Sequence, residues 1–379
     1  MKRNSFKVYD ETVVAFMDDF SKNLRSKAGR MYPDLMALSF WCRKANITKL
    51  KEKSGLVNNI GRGVVFHITP SNVPINFAFS YFFGLLSGNS NIVRLPSKDY
   101  PQVSIICDVI NELLKKEEYL SIKKATEFVK YGHNKELTDK YSLEADARII
   151  WGGDTAIDNI RQSPMKAKSI EVVFADRYSM GVISSDAILA ASKEEITKLA
   201  DDFYNDTYLM DQNACSTPHM IFWMGKNICR AKEIFWKAVY ESAKKYNLEP
   251  IKVVDKYTDL CVEAMKGNML GMNFERQDNL LYLLQTDKLP DNVTVLRGRF
   301  GMFYQKNIEN IDEIAPHISE KVQSLLYYGV DKDDLNTFVL DNGLVGIDRI
   351  VPFGKSLDMN VYWDGYDIIS ILSRRIVVE

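Results

Sequence analysis

The chain has 379 residues, 46% of them hydrophobic and 26% charged, which is ordinary for a globular protein and long enough for two domains. Lysine plus arginine (49) nearly cancels aspartate plus glutamate (50), so the summed charge gives no argument for nucleic acid, a membrane surface or an acidic tail. Five cysteines, odd in number and without a C-x-x-C pair, fit a reducing cytoplasm better than a disulfide framework, and four scattered histidines give no metal-ligand spacing.

The basic start Lys2-Arg3 is followed by no apolar stretch, which argues against a signal peptide. The longest apolar run, about 73–86, is broken by Asn76 and Ser80. It is too short to span a bilayer and reads as a buried helix. From about 10 to 53 apolar positions such as Val13, Phe16, Met17 and Phe20 recur at helical spacing, predicting a helical layer with no visible chemistry.

Residues 61–68 read as a glycine-started buried strand ending in Thr69-Pro70-Ser71-Asn72-Val73-Pro74. The prolines enforce an extended turn there. From it Asn72 either offers an amide N–H₂ or caps the following helix. Ser87-Gly88-Asn89 signals the end of that helix. Strands over 91–95, 126–131, 147–151 and 170–174 then alternate with helices over 102–116, 134–141 and 156–161, the pattern of a parallel, doubly wound sheet. Gly152-Gly153, between a strand and a helix start, is a natural cradle for a pyrophosphate, although no G-x-G-x-x-G is present. The aromatics Phe77, Phe79, Tyr81 and Phe82 read as core in the first place and as a lipid tunnel in the second.

A strand over 180–183 and a helix over 193–208 lead to Asp211-Gln212-Asn213-Ala214-Cys215-Ser216-Thr217. Small and polar neighbours let a carbonyl approach the Cys215 sulfur, and the backbone N–H there can meet the oxygen that turns negative on attack. Beyond it we expect a strand over 220–224, helices over 231–245 and 258–266, a strand over 293–296, a further apolar segment over 321–329, and an exposed apolar strand near 370–378. That last strand is an edge of the monomer or a subunit contact.

Taken together, these stretches resemble the aldehyde dehydrogenase superfamily and, within it, the LuxC-type acyl-CoA reductases. Gly63 to Pro74 resembles the segment ending in P-W-N-x-P, with Ser71 where tryptophan usually stands. Gly88-Asn89 with Ile92-Val93-Arg94 resembles G-N-x-x-V-x-K. Asn213-Ala214-Cys215 resembles the nucleophile motif, and 173–179 resembles F-G-P-K-x-S. Trp151-Gly152-Gly153, Pro352-Phe353-Gly354 and Trp363-Asp364-Gly365 with Ser373 are typical of the LuxC-type family.

The resemblance implies an α/β, aldehyde dehydrogenase-like fold. A helical layer with a Rossmann-like cofactor domain would occupy 1–185 and a catalytic domain 186–345. A tail over 346–379 would return to the cofactor domain and end in a short oligomerisation strand. It makes Cys215 the nucleophile, with Asn72 and the Cys215 N–H as the oxyanion hole. It puts Asn89 and Arg94 by the adenosine ribose and Gly152 and Gly153 under the pyrophosphate. The glutamate with which oxidising members activate water is replaced by Val173, with Glu171 out of register by two. Ser97, beside Arg94 and Lys98, stands where NAD-preferring members carry a ribose-binding glutamate, which favours NADPH.

The expected activity is reduction of an acyl-CoA, or another acyl thioester, to an aldehyde in the cytoplasm by a homo-oligomer. An acyl-protein synthetase or transferase subunit is a possible partner, and no metal, nucleic acid or membrane span is expected. Two alternatives stay open: an acyl-accepting subunit without redox chemistry, and an acyl-phosphate reductase.

Overall fold

The computed structural model describes residues 5–28, 31–267 and 273–379. The chain divides into two compact units, Met1–Asp176 with Met359–Glu379, and Arg177–Asp358. The first boundary falls nine residues earlier than the expected 185 because strand Tyr178–Ser184 pairs with Pro218–Met224 and Val322–Tyr328, both in the second unit. The tail crosses back at 359 rather than 346, since Arg349–Pro352 still pairs with Val322–Tyr328.

The first unit is built on a parallel five-stranded sheet. Strand Val64–Ile68 lies at its centre, Ser90–Arg94 and then Thr126–Val129 follow on one side, and Ala147–Trp151 and Ile170–Phe174 on the other. Val64–Ile68 is buried at every position, as expected of a strand covered on both faces. Helix Asn76–Leu86 is buried along its whole length. Its aromatic stripe is core: Phe82 packs on Phe20 at 4.9 Å, Phe79 on Trp41 at 5.4 Å, and Phe77 and Tyr81 on Phe128. Helices Glu11–Ala28, Pro33–Trp41 and Lys44–Ser54 form the layer that covers it.

A buried polar relay crosses this core. Trp151 Nε1 donates to Ser80 Oγ (3.1 Å), which lies 2.8 Å from His67 Nδ1, and His67 Nε2 lies 2.9 Å from Asn91 Oδ1. Asn91 Nδ2 donates to the Asn89 carbonyl, so its Oδ1 accepts and the imidazole is the neutral Nε2–H tautomer. Gly84 permits the close approach, because a Cβ there would sit 1.9 Å from Asn91 Oδ1.

The second unit holds a seven-stranded sheet in the spatial order Arg349–Pro352, Val322–Tyr328, Tyr178–Ser184, Pro218–Met224, Met302–Ile308, Leu281–Gln285, Asn273–Gln277. Only the last strand is antiparallel to its neighbour. Helices Lys193–Thr207 and Ile228–Ala243 cover one face through Phe203, Phe235 and Trp236. The strand expected over 293–296 is instead a 3₁₀ turn, Val293–Val295, capped by the Asn292 side chain on the Thr294 N–H. The ladder in that region is made by Leu281–Gln285 and Met302–Ile308.

At the chain end, Ser373–Arg375 pairs antiparallel with Asn59–Gly61, an edge within the first unit. Among the described residues no helix is long and apolar enough to cross a membrane, and no group of three or more His, Cys, Asp or Glu could hold a metal ion.

Candidate active site

Open α/β sheets bind ligands outside the carboxyl ends of their strands, at the point where the strand order reverses. In the first unit that point is the end of Val64–Ile68 beside Ala147–Trp151, which carries the turns 69–74 and 152–153.

Several predicted residues meet there. Thr69 Oγ1 donates to the Arg94 carbonyl (3.0 Å), the hydroxyls of Ser71 and Ser97 lie 2.9 Å apart, and Tyr100 OH donates to the Ser71 carbonyl (3.0 Å). The Arg94 guanidinium lies over the Tyr131 ring at 4.7 Å and donates to the carbonyls of Tyr131 and Gly132. Lys98 is exposed, its ammonium 5.3 Å from the Tyr100 ring centroid. Asn72 is exposed, and the helix that follows is N-capped at Ile75 without a side-chain hydrogen bond, so Asn72 is not its cap.

The residues at this end fit a dinucleotide in part. Gly153 is the N-cap of helix Asp154–Arg161, and a Cβ on it would meet nothing within 4 Å; on Gly152 it would meet only Ala156 Cβ at 3.6 Å. The turn is thus open to a diphosphate at a helix N-terminus, while Asp154 in the first turn opposes negative charge. Arg94, Ser97, Lys98, Gly152 and Gly153 fit such a ligand. Asn89 does not: it is fully buried, its Oδ1 accepting from the Gly63 N–H (3.1 Å) and its Nδ2 donating to the Leu372 carbonyl (2.9 Å). Its amide is used in joining the tail to the strand entry, which corrects the expected ribose contact.

Glu171 also has a structural task. The Arg148 guanidinium, only 2% exposed, donates to its carboxylate at 2.5 and 3.0 Å, and Arg161 donates at 2.8 Å. Partial burial pushes this carboxyl up, but hydrogen bonds from Arg161 and Arg148 outweigh it and hold Glu171 below the usual range. A carboxylate so engaged is a poor water-activating base.

In the second unit Cys215 lies in the loop that enters strand Pro218–Met224. Helix Lys193–Thr207 ends in the 3₁₀ turn Tyr208–Met210, after which Asp211 (φ 54°) and Gln212 (φ 62°) are both left-handed. Each such non-glycine residue costs about 1–2 kcal/mol and persists only where its surroundings fix it. Here they do. The Asp211 carboxylate accepts from Tyr246 OH (2.5 Å) and pairs with Lys252 (3.0 Å). Gln212, 1% exposed, donates to the Met302 carbonyl (2.9 Å) and accepts from the Gly301 N–H (3.1 Å). Further along, Ser179 Oγ donates to the carbonyl of Cys215 itself (2.9 Å), and Thr217 Oγ1 to that of Asp206 (2.7 Å).

The Asp206 carboxylate in turn accepts from the N–H groups of Gly354 and Ser356 and from Ser356 Oγ. Burial pushes its pKa up to about 6 against those hydrogen bonds. The tail motif Pro352-Phe353-Gly354 thus supports the loop that carries Cys215 through Asp206.

The other thiols are less suitable. Burial pushes Cys42 well up and Cys107 up to about 11, and Cys229 and Cys261 lie exposed on helices Ile228–Ala243 and Pro250–Gly267. Cys215 is half-buried in a polar loop, and all five thiols are free of disulfides.

Beside this loop lies a cavity of about 400 Å³, lined by Gln212, Asn213, His219, Arg297, Arg299 and Tyr304 among others. Burial, then the charge of Arg297, lowers the His219 pKa to about 3, so the ring is neutral at physiological pH. Its Nδ1 lies 2.9 Å from the Gly298 carbonyl and the ring stacks on Tyr178. Sequence reasoning missed Ser179, Asp206, Gln212 and His219 as contributors; Ser179, within the F-G-P-K-x-S-like segment, carried the one visible signal.

The family profile described as acyl-CoA reductase (LuxC) matches residues 46–375. The chain belongs to that acyl-CoA reductase family. The chain is similar to a long-chain acyl-protein thioester reductase of Photobacterium phosphoreum, 22% identical over 278 residues, covering 70% of this chain and 52% of that one. It is also similar to that of Vibrio harveyi, 24% identical over 305 residues, covering 78% and 59%. It therefore spans little more than half the length of these curated relatives.

Solved structures place the chain in the aldehyde dehydrogenase fold. A 1-pyrroline-5-carboxylate dehydrogenase variant from Thermus thermophilus superposes with TM-score 0.65 at 10% identity, covering 97% of this chain and 81% of that one. Lactaldehyde dehydrogenase from Escherichia coli gives 0.60 at 12%, covering 90% and 78%.

Proposed function

We propose that this protein reduces an acyl thioester to the aldehyde through an acyl group held on Cys215, with NADPH as the reductant. The observation that carries the reading is the half-buried Cys215 thiol, outside any disulfide, in a loop whose two left-handed residues are fixed from outside it. The Cys215 thiolate attacks the carbonyl carbon of R–CO–SR′; a C–S bond to Cys215 forms, the bond to the donor sulfur breaks, and R′S⁻ leaves. The amide of Asn72 and the backbone N–H of Cys215 are assigned to the acyl oxygen. The nicotinamide, when bound, supplies the hydride for the acyl carbon. Cys215 sulfur is the leaving group as the aldehyde departs, which returns the thiolate.

Engagement of Glu171 by two guanidinium groups supports reduction over hydrolysis, since it removes that carboxylate as a base for water. The donor is a coenzyme A or protein thioester, and a synthetase or transferase subunit is the fitting supplier of the latter. The charged lining of the cavity beside Cys215 suits the polar end of such a donor better than a fatty chain.

The test is Cys215→Ser. Mixed with radiolabelled long-chain acyl-CoA, wild type should take up label and, with NADPH, release aldehyde, while the variant does neither and melts as wild type does. Labelling of the variant at the wild-type rate would remove Cys215 from the role.

A further inference from the structure

The first unit carries a second cleft, of about 560 Å³, where Asn59–Gly61 pairs with Ser373–Arg375. Arg62, Arg374 and Arg375 line it, together with Asn58 and Ser370. None of the three arginines has a carboxylate partner among the described residues. Arg62 is half-buried, fixed by Nε donation to the Ile371 carbonyl (2.7 Å), and the charge of Arg374 acts on it from the facing strand. Burial, then that like charge, lowers the Arg62 pKa. Packing cations together without a counter-ion opposes folding, and an anion bound among them reverses the sign of the interaction.

The position separates this cleft from the nucleotide crevice. Arg62 precedes strand Val64–Ile68, whereas the turn 69–74 follows it. Five residues at about 3.3 Å each put roughly 16 Å of strand between the two ends.

We propose that this cleft binds the phosphate or diphosphate group of a small phosphorylated molecule. Arginines match a group carrying two or more negative charges, and the guanidinium fork donates to phosphate oxygens in pairs. The Asn58 amide and the Ser370 hydroxyl add neutral donors, and the volume falls in the range of small-molecule sites. The site is independent of the chemistry assigned to Cys215.

The experiment is calorimetric titration of inorganic pyrophosphate and of ADP into the full chain, into Arg374→Gln/Arg375→Gln, and into Arg94→Gln. Both exchanged arginines of the double variant are exposed and hold no other described group, so the fold should persist, as circular dichroism would verify. Loss of two charge-assisted contacts should weaken pyrophosphate at least about tenfold in the double variant, with Arg94→Gln retaining the wild-type site. Sedimentation with phosphatidylglycerol vesicles separates a lipid headgroup from a soluble ligand. The proposal is overturned by absence of pyrophosphate binding to wild type, by unchanged binding in Arg374→Gln/Arg375→Gln, or by retention on vesicles alone.

Discussion

The hydroxyls of Ser71 and Ser97 lie 2.9 Å apart, which ties the turn carrying Asn72 to the position at which the cofactor ribose is expected to be read. By the resemblance, Ser71 stands where the superfamily motif usually has tryptophan and Ser97 where it has the ribose-binding glutamate, so two of the departures from that pattern meet in one hydrogen bond. Both sit on neighbouring strand ends, Ile68 being paired with Arg94. Ser97→Glu removes this bond and puts a carboxylate between Ser71 and Lys98. NADPH affinity should fall at least about tenfold, because a 2′-phosphate then faces a like charge, while NADH changes little. Fluorescence titration of both cofactors checks it; an unchanged NADPH-to-NADH ratio would move the reading of the 2′-phosphate elsewhere.

For Asn72 the structure removes the competing explanation. Ile75, not Asn72, begins the helix, and the Asn72 side chain is exposed. Asn72→Ala should therefore leave the melting temperature unchanged. Loss of an oxyanion donor typically costs about 2.7–4 kcal/mol, so turnover should drop about a hundred- to a thousandfold. Turnover equal to wild type at equal folded concentration would require another donor.

Gln212→Ala tests whether the loop geometry matters to the thiol. The exchange leaves the Met302 carbonyl and the Gly301 N–H without their partner in a buried setting, at a cost of about 1–3 kcal/mol. It also releases the left-handed bend that precedes Cys215. Acyl transfer to Cys215 should slow while cofactor binding, which we assign to the other unit, stays as in wild type. Equal labelling rates despite a lowered melting point would show that Gln212 stabilises the fold without positioning the sulfur.

The strand-helix alternation over 61–176 was legible because its strands are short, carry an apolar stretch and are bounded by turn residues, from Val64–Ile68 to Ile170–Phe174. Cys215 stood out by its small and polar neighbours read together with the turn 69–74. Legibility failed where partners lie far apart in sequence. Gln212 bonds to Met302 ninety residues away, and Asp206 to Ser356 one hundred and fifty away, so no local pattern announces either. The 293–296 stretch has strand-forming residues, but Asn292 caps a turn there and the ladder forms on either side of it. Asn89 misled for the opposite reason: its motif matches a superfamily pattern while its amide is consumed by Gly63 and Leu372.

His67 gives a pH dependence with a definite sign. Complete burial, only partly offset by the hydrogen bond with Asn91, lowers its pKa from 6.5 to about 4. The unfolded chain takes up a proton near pH 6.5 that the folded chain refuses until about pH 4. The stability this group contributes is thus present above pH 6.5 and lost as the pH falls toward 4, at up to about 1.4 kcal/mol per unit and about 3 kcal/mol in all. Asp206, in the other unit, has the opposite sign, since its folded pKa is raised to about 6. A difference measurement cancels it. Urea midpoints of wild type and His67→Gln should differ by a gap that narrows steadily from pH 6.5 to 4, because glutamine lacks the titration. A constant gap over that range would mean that His67 is protonated in the folded protein, and that the relay from Trp151 through Ser80 to Asn91 is not built on a neutral ring.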